Sequence, residues 1–264
     1  MIAAAQTRQS ELDQVVDQVE PSLALADDLF AVVGLLEQQS SLRNALADPT
    51  ASVAARQALA TAIMKKRVGK DAAKIVAAVA ASRWESGLTM VAALERQGER
   101  VLIETAGRGK DLDRVEDELF RFERTVAAND DLRVAIEDRN VALDRREALV
   151  AGLLDGKADR VTQKLAVRAV AARGRTFTLT IQAMLALAAQ ARQRAIAQVT
   201  VAMPLSAKQT KRLGAALAAQ LGRAVSLEVV VDPAVLGGVR VRVGDELIDG
   251  TVLGRLAAAT RQLN

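Results

Sequence analysis

The stretch that decides the fold reads DPAVLGGVRVRVGDELIDGT and occupies residues 232–251. Within it, valine alternates with arginine from Val239 to Val243, which is the period of a strand with one buried face, and a strand is predicted over Gly238–Val243. Gly244-Asp245 follows, and a glycine at this place can take the positive φ of a two-residue hairpin turn. Glu246–Ile248 is then the return strand, so the stretch predicts a β-hairpin near the end of the chain.

A small α+β domain is predicted around this hairpin. Ala195–Ala202 is predicted as a strand, and apolar residues at every second position predict another strand over Ser226–Asp232. Between them, Ser206 followed by Gln209 matches a capping box, and leucines at every fourth position then indicate a helix. A last helix is predicted over Val252–Leu263.

The region before this domain is helical and contains an internal repeat. Its apolar residues recur at helical spacing, and the sequence matches itself without a gap at an offset of 90 residues. Asp27–Phe30 falls on Asp117–Phe120, and residues 27–64 share 10 of 38 identities with residues 117–154. The pattern predicts a duplicated unit of helix, short helix, turn, helix and helix, with Thr89–Ala106 closing one copy and opening the next. The predicted fold class is therefore α+β, mostly α.

Composition narrows the possible chemistry. The chain has no cysteine, histidine or tyrosine, and aromatic residues make up 2% of it. Disulfides, Cys/His zinc sites and nucleophile–histidine pairs are excluded, so acid–base chemistry would depend on Asp, Glu or Lys alone. No apolar run approaches the roughly 20 residues of a membrane span, and the first residues lack a secretory pattern.

Positive charge is concentrated at the C-terminal end. Residues 191–264 contain 10 Lys/Arg and 5 Asp/Glu, whereas residues 1–190 contain 26 and 27. A basic domain attracts nucleic acid, acidic lipid or an acidic protein partner, although few aromatic residues are available for base stacking. A basic adaptor or nucleic-acid-binding helical protein is therefore an alternative function.

The C-terminal stretch resembles the signature of the δ subunit of F-type ATP synthase, the family that includes the mitochondrial oligomycin-sensitivity-conferring protein. Thr251 stands where that family usually has serine, and Glu99–Glu104 lacks the tyrosine common in its first helix. The extra N-terminal copy resembles the actinobacterial branch of the family. The matching signature residues are Asp232, Pro233, Leu236, Gly237, Gly238, Gly244, Asp245, Ile248, Asp249 and Gly250.

This resemblance implies a non-catalytic subunit without a cofactor that joins the catalytic head to the peripheral stalk and resists rotary torque. It implies three domains: an extra helical repeat over 1–88, a head-binding helical bundle over 89–192 and a stalk-binding α+β domain over 193–264. The implied partners are the α and β subunits for the bundle and the b subunit for the C-terminal domain, with no nucleic acid and no membrane span. The implied location is the cytoplasmic face of the cell membrane.

The resemblance also implies two sets of contact residues. It places the groove for the α subunit on two helices of the bundle, and the stalk contact on the last helix. The first copy is expected to add stalk or head contacts. The predicted head-binding residues are Leu94, Gln97, Val101, Thr105, Val161, Lys164, Leu165 and Arg168. The predicted stalk-binding residues are Leu253, Arg255 and Leu256.

Several short patterns allow a functional and a structural interpretation. Asp245 and Asp249 suit a metal or a carboxylate pair, but a hairpin turn and a helix N-terminus are the favoured interpretation. Gly237-Gly238 and 107–110 resemble phosphate loops, yet the full phosphate-loop pattern is absent, so a bend and a helix stop with a loop are favoured. Trp84, the single tryptophan, suits core packing more than a binding hot spot.

Overall fold

The computed structural model describes residues 2–65, 67–109, 111–172, 174–194, 196–221, 225–233, 235, 237–243 and 246–249. It is mostly helical, with a small mixed sheet near the C-terminus. The helices are α1 (Ile2–Asp17), α2 (Leu23–Gln38), α3 (Ser40–Ala47), α4 (Val53–Met64), α5 (Lys70–Ala81), α6 (Gly87–Gly109), α7 (Leu112–Ala127), α8 (Asp130–Glu137), α9 (Leu143–Leu154), α10 (Arg160–Ala171), α11 (Phe177–Arg194) and α12 (Ala207–Leu221). The strands are β1 (Ile196–Val201), β2 (Ser226–Val231), β3 (Val239–Val243) and β4 (Glu246–Asp249).

Helix positions repeat along the chain as the sequence predicts. The starts of α3 and α8, of α4 and α9, of α5 and α10, and of α6 and α11 are each 90 residues apart. Helix α6 therefore closes the first copy and opens the second. It is longer than the predicted Thr89–Ala106 and continues through Gly107 to Gly109, where the sequence predicts a loop.

Helix α6 is the centre of the helical core. It packs extensively against α2 and also contacts α1, α3, α5, α7 and α10. Because neighbours surround it, side chains on every side of α6 are buried, including Leu94, Leu102 and Ile103. A helix covered on all sides is typical of the interior of a bundle. The core is aliphatic, as the composition predicts, with Leu29 of α2 and Leu119 of α7 both 0% exposed.

Polar side chains cap several of these helices. The Ser22 hydroxyl accepts a hydrogen bond from the Leu25 N–H, and the Ser52 hydroxyl accepts one from the Ala55 N–H. At the start of α8, the Asn129 side chain accepts from the Leu132 N–H at 3.0 Å. Each cap satisfies a backbone donor that the helix itself leaves unpaired, which fixes where the helix begins.

The C-terminal sheet has the strand order β2-β1-β3-β4. Strands β1 and β2 are parallel and connected through α12, while β3 pairs antiparallel with both β1 and β4. The capping box at the start of α12 is confirmed, because the Ser206 N–H donates to Gln209 Oε1 at 2.8 Å and the Gln209 N–H donates to Ser206 Oγ at 3.3 Å. The buried core residues of this sheet and helix are Ala197, Val199, Val201, Leu217, Val241 and Val243.

Gly237 and Gly238 form the bend that precedes β3. Their φ angles are 66° and 86°, a region that side-chain-bearing residues avoid. The Asp232 N–H donates to Val201 O at 2.9 Å, which holds the start of this bend beside β1. The predicted structural interpretation of the two glycines is therefore confirmed. The predicted hairpin turn at Gly244-Asp245 and the predicted last helix lie outside the described residues.

The chain divides into two compact units, Met1–Leu185 and Ala186–Asn264. The first contains α1 to α10 and the start of α11, and the second contains the rest of α11 with the sheet and α12. The division of the helical region at residue 88 stays a prediction. Within the described part of the chain, no helix combines the length and apolar content that a membrane crossing requires.

Candidate protein interface

Most of the predicted head-binding residues lie in the interior of the helical unit. Leu94 and Gln97 are each 1% exposed, and Val101 and Leu165 are 0% exposed. Val161 is also buried, at 5% exposed. These five side chains of α6 and α10 therefore pack in the core of the helical unit. Their contact with the head stays a prediction.

The other three predicted residues, Thr105, Lys164 and Arg168, are half-buried. The Thr105 hydroxyl donates back to Val101 O at 2.7 Å within α6. Lys164 Nζ lies 2.5 Å from Asp27 Oδ1, and Arg168 Nε lies 2.6 Å from Glu95 Oε1. The first of these ion pairs joins α10 to α2, so the first copy reaches the surface that the resemblance assigns to a partner.

Phe30 of α2 is the centre of this contact. The Arg168 guanidinium lies 5.3 Å from the centroid of the Phe30 ring, within the range of a cation–π interaction. On another side the ring faces Gly98 of α6, where an added Cβ would lie 2.6 Å from Phe30 Cε1. Only glycine allows this approach without a shift. We call the group of Asp27, Phe30, Glu95, Gly98, Lys164 and Arg168 the Phe30 cluster.

A buried carboxyl group lies next to the Phe30 cluster. Burial first and the nearby Glu95 carboxylate second raise the pKa of Glu99 from 4.5 to about 8, against the opposing effect of Arg168. Two buried polar atoms close by, Gln97 Oε1 and Arg168 Nη2, have no hydrogen-bond partner. Such atoms raise the free energy of the folded state, so this part of the interior is less well satisfied than an aliphatic core.

A second polar contact, which sequence reasoning missed, attaches α1 to α6. Arg96 Nη1 of α6 lies 2.7 Å from Asp13 Oδ1 of α1. Arg100 is 3% exposed and donates to Asp13 O at 2.6 Å and to Asp17 Oδ1 at 2.6 Å. The signal was present in the sequence, since two arginines and two aspartates are each four residues apart, which places each pair on one helix face.

The pKa of Asp13 reports on the same contact. Burial alone would raise this pKa, but the hydrogen bond from Arg96 and the positive charges of Arg100 and Arg96 together hold it below 3.8. The carboxylate is therefore stabilised in its charged form. Charge pairing is a substantial part of how α1 is held in place.

The remaining predicted positions fall in or beyond the C-terminal sheet. Asp232, Pro233, Gly237 and Gly238 form the bend before β3, and Ile248 packs against the sheet core. Asp249 ends β4 opposite Arg240, and its predicted place at a helix N-terminus stays a prediction, because the residues after it lie outside the described part of the chain. The predicted residues outside the described part of the chain are Leu236, Gly244, Asp245, Gly250, Leu253, Arg255 and Leu256.

Trp84 takes neither of its two predicted roles completely. Its ring is half-buried, its indole N–H donates to Val79 O at 2.7 Å, and the Arg8 guanidinium lies 4.7 Å from a ring centroid. The residue therefore anchors the loop between α5 and α6 against α1. Among the described residues, no group of three or more acidic, histidine or cysteine side chains is placed to hold a metal ion.

Comparison with known proteins gives one family. The family model described as the ATP synthase delta (OSCP) subunit matches residues 100–263. Proteins called ATP synthase subunit delta are 42% identical in Streptomyces griseus over 99% of this chain and 96% of that protein, and 44% identical in Salinispora arenicola over 93% and 90%. The protein of the same name from Thermobifida fusca is 35% identical over 100% of this chain and 99% of its own.

One structural match is a chain of the solved mitochondrial ATP synthase hexamer of Toxoplasma gondii. Its sequence is 20% identical, the match covers 62% of this chain and 94% of that chain, and the TM-score is 0.31. A likeness this weak carries no argument. The bacterial matches extend over nearly the whole length of both proteins, so these relatives share the first helical copy as well. On the strength of the family model and these full-length relatives, the chain belongs to the ATP synthase delta (OSCP) subunit family.

Proposed function

We propose that the helical unit binds the α/β catalytic head and that the C-terminal domain binds the b subunit, at the cytoplasmic face of the membrane. As a member of its family, the chain is a non-catalytic peripheral-stalk subunit of F-type ATP synthase. The comparisons give no support to the nucleic-acid-binding alternative. What is proposed here is which part of the chain holds which partner.

The head-binding proposal rests on the Phe30 cluster. In this cluster, side chains of α2 pack against both α6 and α10. Helix α2 lies along α6 and reaches α10 through Phe30 and Asp27. Recognition of an amphipathic helix by a helical surface works by the same combination of apolar packing and flanking charge pairs. We assign head contact to the half-buried residues Thr105 and Lys164, because the buried residues around them are occupied with the chain's own core.

This assignment changes which substitutions test the proposal. Replacing Leu165 or Val101 by glutamate would bury a charge in the core and unfold the helical unit, so lost binding would mean little. Lys164→Glu reverses a charge at the edge instead. Lys74 is its matched control, since it occupies the same position in the first copy and donates to Gln18 Oε1 at 3.1 Å.

The experiment is calorimetric titration of the full-length variants with the purified α/β head. We expect Lys164→Glu to weaken head binding at least fivefold and Lys74→Glu to leave it unchanged, with the helical circular dichroism signal preserved in both. Weakening by Lys74→Glu alone would move the head site to the first copy. If neither variant weakens head binding, the assignment to α10 is contradicted.

The C-terminal half of the proposal has a separate test. Arg255→Glu in the full-length chain is expected to reduce binding to the b subunit at least fivefold, because a basic domain loses attraction for an acidic partner when its charge is reversed. Binding of the same variant to the α/β head should not change. Equal binding of variant and wild type to the b subunit would contradict this contact.

A further inference from the structure

The outer face of α7 repeats the outer face of α2, but among the described residues no helix covers it as α10 covers Phe30 and Asp27 of α2. At an offset of 90 residues, Phe30 corresponds to Phe120 and Asp27 to Asp117. The two helices also bury the same stripe of positions. The matching buried pairs are Leu25 and Val115, Leu29 and Leu119, Val32 and Phe122, Val33 and Glu123, and Leu36 and Val126.

The two phenylalanines therefore have the same orientation in their helices but different surroundings. Phe30 is half-buried beneath Arg168 of α10, and Asp27 pairs with Lys164 of the same helix. Phe120 is 53% exposed. An equivalent of α10 would begin 90 residues after Arg160, at a position that lies outside the described residues, and no described helix covers Phe120 as α10 covers Phe30.

Exposure of this ring is unusual for the chain. Only four phenylalanines and one tryptophan occur in 264 residues. Phe122 and Phe177 pack edge to face with ring centroids 5.9 Å apart, Phe30 lies under Arg168, and Trp84 lies under Arg8. Among the described residues, Phe120 is the one aromatic side chain that is more than half exposed. Aromatic residues are enriched at the centres of protein interfaces.

We propose that the face of α7 around Phe120 and Asp117 binds a basic helix of another subunit, which takes the place that α10 takes over Phe30 and Asp27. The expected chemistry of that helix follows from α10, on which Lys164 and Arg168 lie about one turn apart. The arginine covers the aromatic ring, and the lysine pairs with the aspartate. The partner is therefore a helix with two basic residues four positions apart on one face.

The charges on α7 suit this partner. Asp117 pairs with Arg121 on its own helix, and both side chains are more than half exposed. Exposed pairs of this kind contribute about 0–1 kcal/mol, so a partner lysine can replace Arg121 at little cost. The basic side chain of the partner then lies over the Phe120 ring. Because the partner helix excludes water from this contact, the cation–π attraction is stronger than at an exposed site.

The experiment uses the absence of cysteine from the chain. Phe120→Cys provides a single thiol, and its rate of maleimide labelling is measured in the isolated full-length chain and in the assembled ATP synthase. Leu179→Cys is the matched control, because Leu179 is also 53% exposed. We expect labelling at position 120 to slow at least tenfold on assembly, while labelling at position 179 changes less than threefold.

A photoreactive maleimide at position 120 then identifies what lies over it. A cross-link to a helical segment with Lys or Arg four residues apart supports the proposal, and so does a Phe120→Cys chain that folds but fails to assemble while Leu179→Cys assembles. Unchanged labelling at position 120 in the assembled enzyme overturns it, as does a cross-link to lipid, to an acidic segment or to a second copy of this chain. The test is independent of whether the head or the b subunit binds where proposed above.

Discussion

At the scale of single residues, Gly98 sets how closely α2 approaches α6. An added Cβ at this position would meet three atoms of the Phe30 ring at 2.6, 3.0 and 3.1 Å. The Arg168 guanidinium also contacts this ring, which limits how far the ring can move away from an added methyl group. The close contact of α2 with α6 therefore depends on the missing side chain of one residue.

Gly98→Ala is expected to lower the free energy of unfolding by about 1–3 kcal/mol, because it forces a methyl group into a filled space. Gly107→Ala, on the same helix, has nothing within 4 Å of its added Cβ and should raise stability by up to about 1 kcal/mol through helix propensity alone. Urea denaturation of both variants measures the difference. Equal stability changes of the same sign would contradict the packing described for Phe30.

Glu99 makes stability depend on pH. Its pKa is about 8 in the folded chain because of burial first and Glu95 second, against 4.5 when unfolded. Between these values the folded protein keeps a proton that the unfolded chain has released, so the free energy of unfolding should fall as pH rises from about 4.5 to about 8. Glu99→Gln removes this titrating carboxyl group, so its free energy of unfolding should fall less over the same pH range.

The measurement is urea denaturation of wild type and Glu99→Gln at pH 6, 7, 8 and 9. The variant should gain stability relative to wild type as pH rises, whereas the exposed substitution Glu85→Gln should follow the wild-type profile. Parallel profiles for wild type and Glu99→Gln would show that the carboxyl is already ionised at pH 6.

At the scale of helices, charge pairs join α1 to α6 beside the buried apolar side chains Leu12 and Val16 of α1. Arg100→Met removes the buried guanidinium that donates to both Asp13 O and Asp17 Oδ1. We expect the free energy of unfolding to fall by about 3 kcal/mol. Hydrogen exchange should also accelerate in α1 before it changes elsewhere. Arg121→Met, which breaks the exposed pair with Asp117, should leave both quantities unchanged. If exchange in α1 is the same in Arg100→Met as in wild type, apolar packing rather than charge holds this helix.

The helices and strands themselves were largely predictable from the sequence. Alternation of valine and arginine predicted β3, and the capping box at Ser206 predicted the start of α12. The repeat predicted the order and spacing of the helices, because a duplicated sequence buries the same faces twice. A loop was predicted from Gly107 onward, but α6 continues through Gly107 to Gly109, because glycine weakens a helix without forbidding it.

What covers a given apolar face was not predictable in the same way. The spacing of Leu94, Val101 and Leu165 shows that something packs on α6 and α10, and the resemblance suggested another subunit. In the structure these side chains are buried within the chain's own helical unit. Periodicity identifies a buried face, but the identity of its neighbour depends on contacts between residues far apart in sequence, such as Lys164 with Asp27.

At the scale of the whole molecule, the shared helix predicts that both helical copies unfold together. Leu29 in the first copy and Leu119 in the second are 0% exposed, and each replacement by alanine should cost about 2–5 kcal/mol. Because α6 belongs to both cores, the two substitutions should shift the same calorimetric transition to lower temperature. Val199→Ala in the C-terminal sheet serves as a comparison from the other compact unit. Separate transitions for Leu29→Ala and Leu119→Ala would show that each copy is stable alone.

Helix α6 also limits how such a chain can grow. A few residues inserted within α6 would rotate one end of this helix relative to the core that the other end serves, since each residue turns a helix by about a hundred degrees. An added length that preserves the packing must therefore bring five helices at once, the content of one 90-residue step. The span of this subunit accordingly takes discrete values, and gene duplication is the event that changes it.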